Sequence, residues 1–234
     1  MTRPWEVLES VPTTEGPLEL RRRGDSEFLI TISSRVLMNS KASRSEVALG
    51  RLACQALGAS PAARVLIGGL GMAWTLRACL DVLPEHAEVV VAELNEVVAR
   101  WCRDGPLADL TQQAARDPRV RIQIGDVADV IRAAARPGAA RFDAVILDLY
   151  EGPSPDCSRD HPQYGAAALA RVRDALSDRG VLAVWSEDPS PSFERGLARA
   201  GFTVRSERPG RGGRRHIVYI ARVGSGSARR TSAR

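Results

Sequence analysis

Lysine occurs once among the 33 basic residues of this 234-residue chain, at Lys41, and aromatic residues make up only 5% of it. The basic character is therefore carried by arginine, which together with abundant alanine points to a coding bias rather than to a lysine-rich binding face. The formal net charge of +5 is also unevenly spread. Nine arginines and one acid, Glu207, give residues 205–234 a local +8 and leave the rest at −3. Neither interleaved aromatics nor a groove-reading helix accompanies those arginines, so nucleic acid is not expected as a partner. No apolar run approaches the ~20 residues of a membrane-spanning helix, and a membrane partner is not expected either. The start, Met1 to Glu6, lacks the apolar core of a secretion signal. Four cysteines (Cys54, Cys79, Cys102, Cys157) lie too far apart for metal-ligand spacing, which argues against structural zinc and fits a reducing cytoplasm.

What is present is a change of hydrophobic period along the chain. Residues 5–38 contain β-forming clusters at Trp5–Ser10, Pro17–Arg23 and Glu27–Ile32, the last two joined by a Gly-Asp hairpin break. From Ser43, with Ser43 or Ser45 as cap, a helix is expected to Leu57, where Gly58 ends it. Strands at Arg64–Ile67, Glu88–Leu94, Val120–Ile124, Phe142–Leu147 and Gly180–Trp185 then alternate with helices at Met72–Val82, Glu96–Arg103, Val127–Ala135, Tyr164–Leu176 and Ser192–Ala200. Such alternation specifies a doubly wound, mostly parallel Rossmann-like α/β sheet. Two final strands, Phe202–Glu207 and His216–Arg222, have only a Gly-rich loop between them and must be antiparallel, because a parallel pair needs a long crossover. Seven strands result. The expected organisation is an N-terminal β region (1–42), a nucleoside-binding domain (43–223) and a disordered Ser/Gly/Arg tail (224–234).

The first parallel strand runs into Gly68-Gly69-Leu70-Gly71-Met72-Ala73, a turn whose glycines allow close approach of a ligand to the backbone. The dinucleotide fingerprint fails, since Trp74 stands where its third glycine belongs; this disfavours a nicotinamide cofactor without eliminating it. Glu93 ends the second strand 22 residues past Gly71, where a carboxylate can accept both hydroxyls of a ribose or stand as a solvated strand-end acid. Asp126, after the third strand, can accept an adenine amino hydrogen, cap the following helix, or both. Asp148 ends the fourth strand, where desolvation favours a proton acceptor, though it can equally brace its loop. Tyr150 either lines the pocket or packs on the sheet, and Glu151 is either a surface acid or a second carboxylate for a cationic acceptor. His161 and Tyr164 are placed as a lid, with His161 equally a plain loop residue, and Glu187 and Asp188 as added negative charge or as a turn cap.

The segments VLIGGLGMA (65–73), VVVAELNEVV (89–98), RVRIQIGDV (119–127) and FDAVILDLYEGP (142–153) resemble the spermidine synthase family of aminopropyltransferases over about residues 5–222. Methyltransferases share the general layout. The resemblance implies a homodimer and decarboxylated S-adenosylmethionine as donor, with no metal. It also implies Glu93 on the ribose, Asp126 on the adenine, Asp148 as base and Glu151 in place of a substrate-gripping aspartate. Two departures stand out. The family aspartate that holds the aminopropyl ammonium is replaced by Gly71, and the family's tyrosine-containing segment is replaced by Ser43-Arg44-Ser45-Glu46. By the resemblance, with Asp148 and Glu151 retained, aminopropyl transfer to a small-molecule amine is the first expectation. Methyl transfer from intact S-adenosylmethionine is the second, and a non-catalytic domain using the Arg-rich C-terminus is a third.

Overall fold

The computed structural model describes residues 3–58, 60–210 and 216–224. Four antiparallel strands come first: β1 (Glu6–Thr13), β2 (Gly16–Arg23), β3 (Glu27–Ile32) and β4 (Arg35–Asn39), hydrogen-bonded in that order. β4 was not among the expected strands. Its connection to β3 is the pair Ser33-Ser34 with φ of 46° and 68°, left-handed values that hairpin turns usually assign to Asn or Gly. The inner face of this sheet carries Leu18, Leu20, Phe28, Ile30 and Ile32 into a core shared with the following helices. Glu9 on β1 adds a polar tie, accepting the Trp101 indole N–H at 2.7 Å.

Helix α1 (Arg44–Leu57) follows, and the expected boundary at residue 42 falls in the turn before it. Ser43 takes the capping position without a side-chain hydrogen bond. The main sheet then forms from β5 (Arg64–Gly68), β6 (Glu88–Glu93), β7 (Val120–Ile124), β8 (Phe142–Leu147), β9 (Leu176–Ser186), β10 (Phe202–Glu207) and β11 (Ile217–Val223). Its spatial order is β10-β11-β9-β8-β5-β6-β7. β5 to β9 run parallel, while β11 pairs antiparallel with both β9 and β10. The expected seven-stranded sheet with a terminal antiparallel hairpin is thus the observed one.

The period of two along each central strand sorts side chains between two layers. Val65 and Ile67 of β5, Val89 and Val91 of β6, and Ala144 and Ile146 of β8 face α1, α2 (Trp74–Leu80) and α3 (Glu96–Arg103). Leu66, Val90, Val145 and Leu147 face the other layer, formed by α4 (Val127–Ala134), α5 (Ala166–Ala175) and α6 (Pro191–Arg199). α2 is shorter than expected because Ala73 is still in a left-handed conformation (φ 62°), so the glycine turn extends to that residue. α5 starts two residues later than expected, and β9 begins at Leu176, whose register opposite Phe142 is set by a bulge. Ser190 caps α6 by accepting the Phe193 N–H, with Pro191 in the first turn.

Chain order reverses at β5, whose neighbours β6 and β8 are reached in opposite directions. Such a switch point opens a crevice at the carboxyl ends of the strands. None of the helices among the described residues is long and apolar enough to cross a membrane. The tail expected to be disordered lies, from residue 225 onward, outside the described residues, as do residues 211–215 of the last loop.

Candidate active site

A cleft of about 280 Å³ occupies that crevice, with Gly69, Gly71, Glu93, Asp126, Asp148, Tyr150 and Glu151 all on its wall. Three ladder extensions carry the strand ends to it: the N–H groups of Gly69, Gly125 and Asp148 donate to the carbonyls of Ala92, Glu93 and Gly68. Gly69 (φ 88°) and Gly71 (φ 52°) adopt conformations that favour glycine. At Gly69 the fit is also steric, since a Cβ would sit 2.3 Å from the Asp148 carbonyl oxygen. Gly68 is a correction. It does not line the cleft, and its missing side chain makes room for Val127 and Leu147, so it serves packing between layers.

Glu93 is buried and braces the turn: its two oxygens accept the Leu70 N–H at 2.9 Å and the Asn95 N–H at 2.8 Å. Burial raises its pKa, and these backbone donors counter the rise. A carboxylate held this way keeps further lone pairs for hydroxyls in the cleft. Asp126, at an exposed position, both caps α4 through the Ala128 N–H at 2.8 Å and lines the cleft. The two alternatives for this residue are therefore compatible.

Asp148 follows β8 and lines the same cleft. The Thr75 hydroxyl donates to its Oδ2 at 2.6 Å. Burial pushes the carboxyl up from 3.8 to about 7, the charge of Glu46 adds to the rise, and the Thr75 hydrogen bond opposes it. An acid that titrates near neutrality is suited to taking a proton during a reaction.

At the rim the structure decides between readings that the sequence left open. Tyr150 is 46% exposed and does not pack on the sheet; its hydroxyl donates to Glu15 at 2.9 Å, and the Arg35 guanidinium lies 5.0 Å from its ring centre. Glu151 is not an unpaired grip for a cationic acceptor, because Arg35 Nη1 donates to it at 2.8 Å. Tyr164 is no lid either. It is buried against Phe193 and donates from its hydroxyl to the Glu151 carbonyl at 2.7 Å, anchoring the loop from behind. His161 packs beside it, and neither His161, Glu187 nor Asp188 lines the cleft.

Sequence reading missed several wall residues: Met38, Glu46, Gln163 and Trp185, together with Thr75 behind Asp148. Glu46 left a readable trace, since it falls in the buried register of α1 with Leu49, Gly50 and Ala53. Met38 left none. Its thioether accepts the Met72 N–H at 3.0 Å and fills the space over Gly71, where a Cβ would meet its methyl carbon at 2.8 Å. Among the described residues no group of three His, Cys, Asp or Glu could hold a metal ion.

Topology and site together define a Rossmann-like fold of the methyltransferase type, with acids at the ends of β6, β7 and β8 around one cleft. The family described as S-adenosyl-L-methionine-dependent methyltransferase matches residues 85–222, and the chain belongs to it. Spermidine synthases share its fold. That from Thermotoga maritima superposes with a TM-score of 0.72 at 19% identity, covering 93% of this chain and 73% of the other. A spermidine synthase in complex with the transition-state analogue AdoDATO gives 0.70 at 19% identity, covering 93% and 72%. A probable spermidine synthase from Corynebacterium glutamicum ATCC 13032 gives 0.62 at 20% identity, covering 95% and 80%. No curated protein matches the sequence.

Proposed function

We propose that the protein transfers an alkyl group from an S-adenosyl sulfonium to a small-molecule amine, with Asp148 taking the proton that the amine releases. Glu93 would hold the ribose hydroxyls and Asp126 the adenine amino group. The attacking nitrogen forms a bond to the transferred carbon as the carbon–sulfur bond breaks, and the sulfonium becomes a neutral thioether. Holding the two reactants in line supplies most of the acceleration in such a displacement.

For the transferred group we favour methyl from intact S-adenosylmethionine, in keeping with the family to which the chain belongs. One observation carries this choice. Position 71 has no carboxylate, and the Met38 thioether fills the space beside it, so no acid stands at that position to meet the ammonium of a decarboxylated donor. A second reading, aminopropyl transfer, draws on a different observation: among the described residues the lining includes Glu15, Glu46, Glu93, Asp126, Asp148 and Glu151 but no basic side chain to hold a methionine carboxylate.

The by-product separates the two. Purified protein incubated with each donor and a panel of primary and secondary amines is analysed by liquid chromatography and mass spectrometry. S-adenosylhomocysteine is the expected product, and methylthioadenosine would transfer the assignment to the second reading. Neither product with any amine would overturn the proposal.

A further inference from the structure

Glu46 lies on the wall of the cleft, 7% exposed, and its backbone carbonyl is joined to Asp148 through one side chain. The Thr75 hydroxyl is 2.6 Å from Asp148 Oδ2 and 3.1 Å from the Glu46 carbonyl oxygen. Gly50 makes this closeness available: a Cβ there would lie 2.6 Å from the Thr75 carbonyl, so α1 rests directly on α2. Behind Glu46 runs a second chain of contacts. The Ser45 hydroxyl donates to Glu46 Oε2 at 2.7 Å, and His216 Nδ1 lies 3.0 Å from the same hydroxyl. With its proton committed to Glu46, Ser45 Oγ accepts from the imidazole. One oxygen of Glu46 is thereby fixed while the residue remains part of the cleft wall.

We propose that Glu46 is a second catalytic carboxylate of this cleft, accepting a hydrogen bond from the acceptor's attacking nitrogen while Asp148 takes the proton. The inference rests on the alkyl-transfer reading and adds a role for a residue which that reading does not use. As the nitrogen–carbon bond forms and the carbon–sulfur bond breaks, the nitrogen becomes positively charged. One carboxylate then receives its proton, and the other keeps the nitrogen lone pair aligned until the bond is made. The negative charge of Glu46 also raises Asp148, so the proton's place on Asp148 depends on that charge.

The groups that face Asp148 are Glu46 from α1, the Thr75 hydroxyl and the Cys79 thiol from α2, and the Tyr164 hydroxyl from the segment before α5. The thiol and the phenol are both pushed upward by their surroundings and stay neutral across the physiological range. That leaves Glu46 as the charge that distinguishes the states of Asp148, with Thr75 acting in the opposite direction.

Infrared difference spectra against D148N read the carbonyl stretch of the protonated Asp148 without any ligand. Its titration midpoint is expected near pH 7 in wild type, lower by at least about half a pH unit in E46Q, and higher in T75V. An unmoved midpoint in E46Q would overturn the pairing. The catalytic role is read separately, with the amine that supports turnover. E46Q is expected to lower kcat at least tenfold while the dissociation constant for methylthioadenosine stays within twofold. An unchanged kcat would overturn it. Failure of wild type to bind any adenosyl nucleoside would remove the transferase reading instead, and the infrared midpoint would still decide the pairing. Circular dichroism melts of both variants confirm folding.

Discussion

Replacing Asp148 by asparagine should stabilise the unliganded protein, and should do so in a pH-dependent way. Burial and the Glu46 charge raise this carboxyl from 3.8 to about 7. Between those values the folded state holds a proton that the unfolded state has released, so wild type loses stability as pH rises through that window and levels off above it. At about 1.36 kcal/mol per pH unit the full loss is roughly 4 kcal/mol. Asparagine has no proton to lose, and its amide oxygen can accept from Thr75 as the carboxylate does. Urea denaturation at half-unit steps from pH 5 to pH 8.5 measures both proteins. The gap in favour of D148N should widen by about 2.5 kcal/mol between pH 5 and pH 8 and then stay constant. The slope is the test, because any packing cost of the substitution shifts all points equally. A gap independent of pH would refute an elevated Asp148, and with it the assignment of this residue as the base.

Further outcomes follow from the other wall residues. E93Q presents an amide NH₂ to one of two backbone donors that now meet carboxylate oxygens, and should lose about 1–3 kcal/mol in denaturant titrations. G71D puts a side chain at φ 52° against Met38 and should cost about 1–2 kcal/mol for the backbone alone, with a further loss that M38A in the same protein relieves. R35A removes exposed contacts to Tyr150 and Glu151 and should change stability by less than about 1 kcal/mol.

The core strands were legible because buried parallel strands are continuous apolar runs bounded by turn residues, as at Phe142–Leu147. The terminal hairpin was legible because its connection is too short for a crossover. β4 escaped because Ser33-Ser34 forms its turn without the residues that signal one. In the candidate site, the meeting of Glu93, Asp126 and Asp148 at one cleft was legible because strand ends in this topology share one edge. The Arg35 ion pair of Glu151 was not legible because that partner lies 116 residues earlier in the chain, on a strand that was not anticipated. Gly68 was read as ligand-facing because a glycine required by layer packing looks the same in sequence as one required by a turn. The Thr75 link between α1 and α2 depends on helices closing over Gly50, a contact that no local pattern encodes.

The central claim is that the cleft bounded by Gly69, Gly71, Glu93 and Asp126 receives an adenosyl group. Isothermal titration calorimetry of wild type and E93A with S-adenosylmethionine, its decarboxylated form and methylthioadenosine tests it directly. Wild type should bind at least one of the three, and E93A should bind that ligand at least tenfold more weakly, about 1.4 kcal/mol. Equal affinity in the two proteins, or no binding to wild type, would contradict the account.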